Sequence, residues 1–245
     1  MKKNITLHVT EDYASLSQLA AKIFADTVNQ NPTASYGFAT GATPEGMYDE
    51  LIQMSNAKKV DLSKITAFNL DEYVPLPKED PQSYYYYMAT KLFDHVGVPV
   101  QSRNVPRGDA PCTTTEAKLY EEKIAKTTIN LQILGIGTNG HIGFNEPNES
   151  CFASDTSYVA LAPATIETNK RFFDNINDVP THAITMGLKT IMMSKAILLL
   201  ASGDSKAEIM RDALLGPITP LVPATALQLH QNVIVIVDKA AAKFL

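Results

Sequence analysis

The residues best suited to acid–base chemistry are His141 and Glu146, five positions apart in the loop sequence LGIGTNGHIGFNEP at 134–147. An imidazole titrates near neutral pH, and a nearby carboxylate can fix its tautomer and orientation. Four glycines within nine residues of this loop predict close approach of the backbone to a ligand or another segment. The same spacing fits a structural histidine bonded to backbone. It matches neither the HExxH pattern of zinc sites nor a dinucleotide-binding fingerprint.

A second acid–base candidate is Asp71, which directly follows the apolar run Ile65–Leu70. If that run is a buried strand, the carboxylate lies at a sheet edge beside apolar walls, an environment that can tune a general base. Asp71 or its neighbour Glu72 could instead cap the next segment, the commoner role of an acid beside a strand end. The position alone leaves both roles open.

Two further loops have features of anion sites. In the first, ATGATP at 39–44, Gly41 permits a tight turn, Thr43 can cap the following helix and Pro44 suits its first position. In the second, SGDSK at 202–206, Lys206 lies in the first turn of a predicted helix, where a bound anion would compensate its charge. Each loop also fits an ordinary strand-to-helix turn, with the lysine extended into solvent.

An alternating scaffold would bring these loops together. Short apolar or β-branched runs predict strands at Ile5–Val9, Tyr36–Ala39, Ile65–Leu70, Leu131–Ile136, Ala196–Ala201 and Val233–Val237. Helical spacing predicts helices at Tyr13–Val28, Pro44–Met54, Tyr84–Val96, Thr115–Ala125 and Lys206–Leu215. The alternation predicts an α/β fold, a single-domain, open, mostly parallel twisted sheet of Rossmann-like type with helices on both faces.

Ligands of such sheets bind beyond the carboxyl ends of the strands, so the loops after the second, third, fourth and fifth runs should share one edge. These loops are Thr40–Pro44, Asp71–Tyr73, Gly135–Glu146 and Ser202–Lys206. One domain is expected over residues 1–245. Within it, Glu146–Asp178 has few periodic apolar residues and is long for a connection, which predicts an irregular functional loop or lid.

Composition excludes several classes of protein. The formal net charge is -5 and only four arginines occur, so nucleic acid is not an expected partner. Neither an export signal nor a membrane-spanning apolar stretch is present, which predicts a cytoplasmic protein without a membrane partner. Cys112 and Cys151 lack CxxC spacing and a companion histidine cluster, so neither a disulfide framework nor a metal site is expected.

Together the motifs resemble those of the glucosamine-6-phosphate deaminases, part of a larger superfamily of sugar-phosphate isomerases and lactonases. The resemblance spans nearly the whole chain, and FNLDEYVPL and GHIGFNEP in this order are its most specific motifs. It rests on ATGATPEGMY (39–48), FNLDEYVPL (68–76), SYYYYM (83–88), LGIGTNGHIGFNEP (134–147), NKRFF (169–173), AITMG (183–187), SGDSKA (202–207) and LQLH (227–230). The resemblance implies conversion of glucosamine 6-phosphate and water to fructose 6-phosphate and ammonia, with no metal or organic cofactor.

The resemblance also implies residue roles. His141 matches the base that opens the sugar ring, with Glu146 and Asn139 supporting it, and Asp71 matches the residue that moves the C2 proton to C1. The family's phosphate-binding positions correspond to Thr40, Gly41, Ala42, Thr43, Arg171 and Lys206. Some members carry Asp where this chain has Asn139, so the group around the histidine has one fewer negative charge here.

Three alternatives stay open at this stage. A galactosamine-6-phosphate deaminase would differ only in the C4 epimer of its substrate. A 6-phosphogluconolactonase would share the architecture, but its signature continues toward Ser-Leu-Phe-Pro rather than Phe-Asn-Glu-Pro. A non-catalytic sugar-phosphate sensor would have no need of Asp71 and His141 together. The expected assembly is a monomer or a small homo-oligomer that binds a small sugar phosphate.

Overall fold

Ten strands form two sheets in the computed structural model, which describes residues 2–170, 173, 175 and 178–245. The strands are β1 Ile5–Thr10, β2 Ser35–Phe38, β3 Thr66–Asn69, β4 Asp71–Val74, β5 Arg103–Asn104, β6 Ile129–Leu134, β7 Ser157–Ala160, β8 His182–Thr185, β9 Ile197–Ala201 and β10 Val233–Asp238. The α-helices are α1 Tyr13–Gln30, α2 Ala42–Asn56, α3 Tyr84–Met88, α4 Asp94–Val96, α5 Thr113–Ile124, α6 Pro163–Asn169, α7 Leu188–Met192 and α8 Ala207–Leu215. A π-helical turn, Ala89–Phe93, joins α3 to α4.

The larger sheet has seven parallel strands in the order β1-β10-β9-β6-β2-β3-β5. The inner strands β2, β6 and β9 are buried along their whole length, because helices cover both faces. All six predicted strands are confirmed, with ends that differ by at most two residues. The two-residue edge strand β5 was not predicted, since it is too short to produce a pattern.

Helices pack on both faces of this sheet, as predicted. On one face, Phe24 of α1 contacts Tyr36 and Phe38 of β2, with ring centroids 5.2 and 5.5 Å apart. On the other, Tyr120 of α5 contacts Phe68 of β3 at 6.2 Å. Successive strand residues point to opposite faces. The paired strands β2 and β3 therefore contribute side chains to the core on both sides of the sheet. Within the described ranges, no helix is long and apolar enough to cross a membrane.

A second, three-stranded antiparallel sheet in the order β4-β8-β7 was not predicted. It corrects the expectation that Asp71–Tyr73 is a loop, because these residues belong to β4. Asp71 pairs with Thr185 of β8, a partner far along the chain, so the pairing leaves no local signal in the sequence. The small sheet therefore fixes the backbone of Asp71 at the carboxyl edge of the large sheet.

The segment 146–178 is more regular than predicted. It contains strand β7, which is mostly exposed and forms by pairing with β8, and helix α6, which begins at Pro163. An exposed strand lacks the apolar alternation on which the sequence-based expectation depended. That this segment moves as a lid stays a prediction.

Tight contacts fasten the start of β7 to the body of the protein. The carboxylate of Glu121 in α5 accepts hydrogen bonds from the Thr156 N–H at 2.9 Å, the Thr156 hydroxyl at 2.6 Å and the Thr190 hydroxyl of α7 at 2.8 Å. Gly187, just before α7, lies against the backbone of Ser154, where a Cβ would be only 2.0 Å from the carbonyl oxygen. These contacts fix the start of β7, from which the chain continues to α6.

We expect Gly187→Ala to lower the free energy of unfolding by about 1 to 3 kcal/mol, because backbone on both sides must shift to admit the methyl group. Urea unfolding would measure the change. The matched control is Gly135→Ala, where a Cβ meets nothing within 4 Å, and it should stay within about 0.5 kcal/mol of the parent. Equal stability of the two variants would contradict the close approach at Gly187.

Candidate active site

Four loops at the carboxyl edge of the large sheet line one cavity of about 270 Å³. They follow the adjacent strands β9, β6, β2 and β3. The chain proceeds outward from β2 through β3 to β5, and in the opposite direction from β6 through β9 to β10, so the sheet reverses its order between β2 and β6. Ligands of open α/β sheets bind at such switch points. The four predicted segments do converge, although the one that begins at Asp71 is strand β4 rather than a loop.

The predicted helix starts need correction. Helix α2 begins at Ala42, after Gly41 with a φ of 103°, so Thr43 lies in the first turn rather than at the cap, and Pro44 is the third helical residue. The left-handed backbone at Gly41 turns the chain into the helix earlier than a threonine cap would. Similarly, Lys206 ends a 3-10 turn that precedes α8 instead of lying within that helix.

The glycine-rich loop holds the imidazole of His141 against its own backbone. A Cβ at Gly137 would lie 2.3 to 2.5 Å from three atoms of the ring, so only glycine leaves room for it. The His141 N–H donates to Asn139 Oδ1 at 3.1 Å, and the Gly137 N–H donates to the His141 carbonyl at 3.0 Å. These contacts fix where the ring can lie, as the glycine content of the loop predicted.

Glu146 lies behind the imidazole, with Oε2 3.5 Å from His141 Nδ1. That separation is longer than a normal hydrogen bond, as is common for catalytic pairs before substrate binds. The carboxylate also accepts hydrogen bonds from Asn139 Nδ2 at 2.8 Å and from the Thr165 hydroxyl. Burial acts to raise the pKa of Glu146, but His141, Thr165 and Asn139 outweigh it and leave that pKa below its ordinary value.

An asparagine at position 139, rather than an aspartate, changes the hydrogen bonding around His141 and Glu146. Its amide accepts from the His141 N–H through Oδ1 and donates to Glu146 through Nδ2. An ionised aspartate at this position could only accept, and it would face the Glu146 carboxylate as a like charge. The asparagine therefore links the histidine turn to Glu146 with a donor that stabilises the charged carboxylate.

Asp71 lines the same cavity as His141. Asp71 is only 6% exposed. Burial, together with the neighbouring Glu72, raises the pKa of Asp71 to about 8. Gly143, with a φ of 57°, passes so close that a Cβ there would lie 3.3 Å from Asp71 Oδ2. The glycine-rich loop thus lies between the two proton-handling candidates, and neither stands in a separate cavity.

Glu72 points away from the cavity, since neighbouring strand residues face opposite sides. Its carboxylate accepts hydrogen bonds from three backbone N–H groups, those of Tyr73 and Tyr84 at 2.8 Å and of Tyr85 at 2.9 Å. Burial raises the pKa of Glu72, while these bonds oppose the rise. These bonds favour the charged form of Glu72, and a charge on Glu72 acts to raise the pKa of Asp71.

Glu72 also positions a residue that the sequence did not single out. By holding the amino end of α3, it places the ring of Tyr84 in the cavity wall, stacked on Phe144 with an interplanar angle of 9°. The motif SYYYYM contained this tyrosine, but nothing in the sequence distinguished it from its neighbours.

The opposite end of the cavity suits an anion. Thr40, Gly41, Ala42 and Thr43 all line it, and the N-cap residue of α2, Gly41, has no side chain to cap the helix. Lys206 reaches the cavity from the neighbouring loop and donates to the Ile136 carbonyl at 2.7 Å. Backbone N–H groups and an ammonium group together can bind a phosphate. Arg171, the remaining predicted phosphate ligand, lies outside the described residues.

A buried aspartate orders the loop that precedes Lys206. Asp238, the last residue of β10, accepts from the Ser202 hydroxyl and from the Gly203 N–H at 3.0 Å. Burial acts to raise the pKa of Asp238, but these hydrogen bonds and that from the Ala241 N–H lower it overall. The loop is thereby fixed with Gly203 at a φ of 92°, a conformation that favours glycine.

Helix α6 forms a further wall that sequence reasoning missed. Ala164, Thr165, Thr168 and Asn169 line the cavity. Thr165 and Asn169 are one helical turn apart on the same face, a spacing that could have indicated a ligand-facing helix. No three His, Cys, Asp or Glu side chains in the described part of the chain come together as metal ligands. That the site works without a cofactor stays a prediction.

Comparison with known proteins yields one family. A family model described as glucosamine-6-phosphate isomerases/6-phosphogluconolactonase matches residues 10–236. The glucosamine-6-phosphate deaminase of Clostridium botulinum (strain Loch Maree / Type A3) is 51% identical over 235 residues, which cover 96% of each chain. That of Clostridium perfringens (strain SM101 / Type A) is 49% identical over 240 residues, covering 98% of this chain and 99% of the relative.

Solved structures agree in fold. A monomeric glucosamine-6-phosphate deaminase superposes with a TM-score of 0.93 at 44% identity, over the full length of both chains. A 6-phosphogluconolactonase from Leishmania guyanensis superposes with a TM-score of 0.76 at 17% identity, covering 97% of each chain. At 17% identity, the similarity to the 6-phosphogluconolactonase concerns the fold alone.

The raised pKa of Asp71 predicts a pH-dependent stability. In the unfolded chain this carboxyl loses its proton near its ordinary pKa, whereas the folded protein keeps it until a pH of about 8. The free energy of unfolding therefore falls as pH rises between those values. Asp71→Asn removes this loss, so its stability relative to the parent should grow by roughly 1 to 3 kcal/mol between about pH 5 and about pH 8.

Urea unfolding at a series of pH values would measure this difference. The control is Asp238→Asn, because the pKa of Asp238 is lowered and its contribution is constant throughout that range. A difference between Asp71→Asn and the parent that does not change with pH would show that Asp71 is ionised in the folded protein well below pH 8.

Proposed function

The chain belongs to the family of glucosamine-6-phosphate isomerases and 6-phosphogluconolactonases, and we propose that it is a deaminase converting glucosamine 6-phosphate and water to fructose 6-phosphate and ammonia. One observation carries the proposal: a buried carboxylate with a raised pKa, Asp71, and an imidazole backed by a carboxylate, His141, line the same small cavity. Isomerisation of an amino sugar needs two proton carriers of different kinds. The relatives that are about half identical over nearly the whole chain carry the deaminase name.

Binding begins at the phosphate in this proposal. The phosphate of the sugar occupies the end formed by Thr40–Thr43 and Lys206, which leaves the sugar carbons between Asp71 and His141. His141 then takes the proton from the C1 hydroxyl, and the ring oxygen receives a proton as the bond between C1 and O5 breaks. An aldehyde forms at C1 of the open chain. Glu146 stabilises the charged imidazole that exists between the two transfers.

Asp71 acts in the second stage. Its carboxylate removes the proton from C2, next to the new carbonyl, and the same proton is returned to C1, while O1 gains a proton and the amino nitrogen loses one. The product is the 2-imine of fructose 6-phosphate, which adds water and releases ammonia. A carboxylate whose pKa is about 8 is a stronger base than an ordinary aspartate, and its protonated form survives long enough to return the proton.

The alternatives have weaker support. A lactonase hydrolyses an ester and removes no proton from carbon, so it leaves the raised pKa of Asp71 without a role. A sensor likewise needs no such carboxylate. The galactosamine 6-phosphate alternative is not favoured by the names of the relatives. We further propose a cytoplasmic monomer, supported by the exposed free thiols of Cys112 and Cys151 and by the monomeric state of the structural relative.

Ammonia release from three substrates tests the proposal. The purified protein should release ammonia from glucosamine 6-phosphate faster than from galactosamine 6-phosphate, and should leave 6-phosphogluconolactone at its spontaneous rate of hydrolysis. Asp71→Asn and His141→Gln should each lower kcat at least about 100-fold, as expected for removal of a general base. Rapid lactone hydrolysis, or tight binding of the amino sugar without ammonia, would overturn the assignment.

Lys206→Met tests the phosphate end of the site. Loss of a charge-assisted hydrogen bond should raise KM for the sugar phosphate about 10- to 100-fold, with a smaller effect on kcat. The matched control is Lys189→Met, because Lys189 is exposed and pairs with Asp155 outside the cavity. Equal KM values for the two variants would show that Lys206 does not bind the phosphate.

A further inference from the structure

The carboxylate of Glu146 is held from two different parts of the chain. Oε2 faces His141 and Asn139, both in the glycine-rich loop. Oε1 accepts from the hydroxyl of Thr165, which belongs to helix α6. Thr165 is only 6% exposed, so water competes poorly for this hydrogen bond. The contact therefore joins α6 to the group that faces the imidazole.

Helix α6 is anchored to the site at a second point. One turn after Thr165, the amide of Asn169 donates to the hydroxyl of Tyr73 at 2.8 Å. Tyr73 lies in β4, two residues after Asp71. Residues four apart lie on one helix face. A single face of α6 therefore contacts both the glycine-rich loop that contains His141 and the strand β4 that contains Asp71.

From these contacts we propose that Thr165 is a positioning residue for the ring-opening step, whose hydroxyl holds the Glu146 carboxylate towards Nδ1 of His141. The inference rests on the proposed function for the meaning of that step. Thr165 acts through Glu146 and takes no part in moving a proton.

The chemical effect follows from the direction of each hydrogen bond. A hydroxyl that donates to one carboxylate oxygen favours the ionised carboxylate and restricts its rotation, so the other oxygen stays turned to the imidazole. A carboxylate beside Nδ1 favours the tautomer that carries its proton on Nδ1. Nε2 is then unprotonated and can accept the proton of the C1 hydroxyl. Without Thr165, Glu146 keeps the hydrogen bond from Asn139 but loses the one that holds its other oxygen.

The position of Thr165 gives the contact a second consequence. It lies in the first turn of α6, within the segment predicted as a lid. Orientation of the Glu146 carboxylate therefore depends on the position of the start of α6.

The tautomer of His141 is the direct readout, because a merely structural role of Thr165 would not change it. We would record 15N spectra of ligand-free protein labelled at its five histidines, and assign His141 by the loss of its signal in His141→Gln. The parent should show mainly the Nδ1–H tautomer. Thr165→Val, which keeps the side-chain shape and removes the hydroxyl, should shift the population towards Nε2–H.

Kinetics supply the second readout. Thr165→Val should lower kcat about 10-fold, the effect of one hydrogen bond to a charged group, with KM changed less than about threefold. Thr165→Ser restores the donor and should return both the tautomer and kcat towards the parent. Thr27→Val is the matched control, since the Thr27 hydroxyl bonds the Ile23 carbonyl of α1, away from the cavity. If Thr165→Val does not fold, Thr165→Ala takes its place.

Two results would overturn the proposal. One is an unchanged His141 tautomer in the variant that lacks the hydroxyl. The other is a loss of kcat in Thr165→Ser equal to that in Thr165→Val, which would make the hydroxyl irrelevant. If the parent released no ammonia, the proposed function would fail, while the tautomer would still decide whether Thr165 orients Glu146.

Discussion

The active site depends on keeping a carboxylate basic inside a folded protein. An isolated buried carboxylate is costly when charged, and a salt bridge would remove its basicity. Here burial and a second carboxylate act together on Asp71. Three backbone N–H groups favour the charged form of Glu72 and oppose the effect of its own burial. Secondary structure thus provides donors that favour a negative charge on Glu72, and that charge acts with burial to raise the pKa of Asp71.

The small antiparallel sheet makes this arrangement possible. Pairing of β4 with β8 forces neighbouring residues to opposite sides, so Asp71 faces the cavity and Glu72 faces the start of α3. In a flexible loop the two carboxylates could separate and lose their mutual effect. On the other side of the cavity, Gly137 and Gly143 let the loop pass against both His141 and Asp71. Close approach, which only glycine permits at these points, brings the two proposed proton carriers to one small cavity.

Much of this architecture was predictable from local pattern, and the remainder depends on long-range contacts. The six apolar strands and their loops were predicted because parallel buried strands produce continuous apolar runs. Strand β4 was not, since its partner β8 lies far along the chain. Asp71, His141 and Glu146 could be proposed from residue type and spacing, but Tyr84 and Thr165 required the packing of α3 and α6 against the cavity. Their residue types are too common in helices to indicate a site.

The central claim is that Asp71 and His141 face the same hexose, whose phosphate lies against Lys206. A crystal structure with an open-chain amino-alditol 6-phosphate, which mimics the ring-opened substrate, tests it most directly. We expect the phosphate beside Thr40–Thr43 and Lys206, and the Asp71 carboxylate about 3 to 3.5 Å from the carbon that corresponds to C2 or C1. A reversed ligand, or one separated from Asp71 by a layer of water, would contradict it.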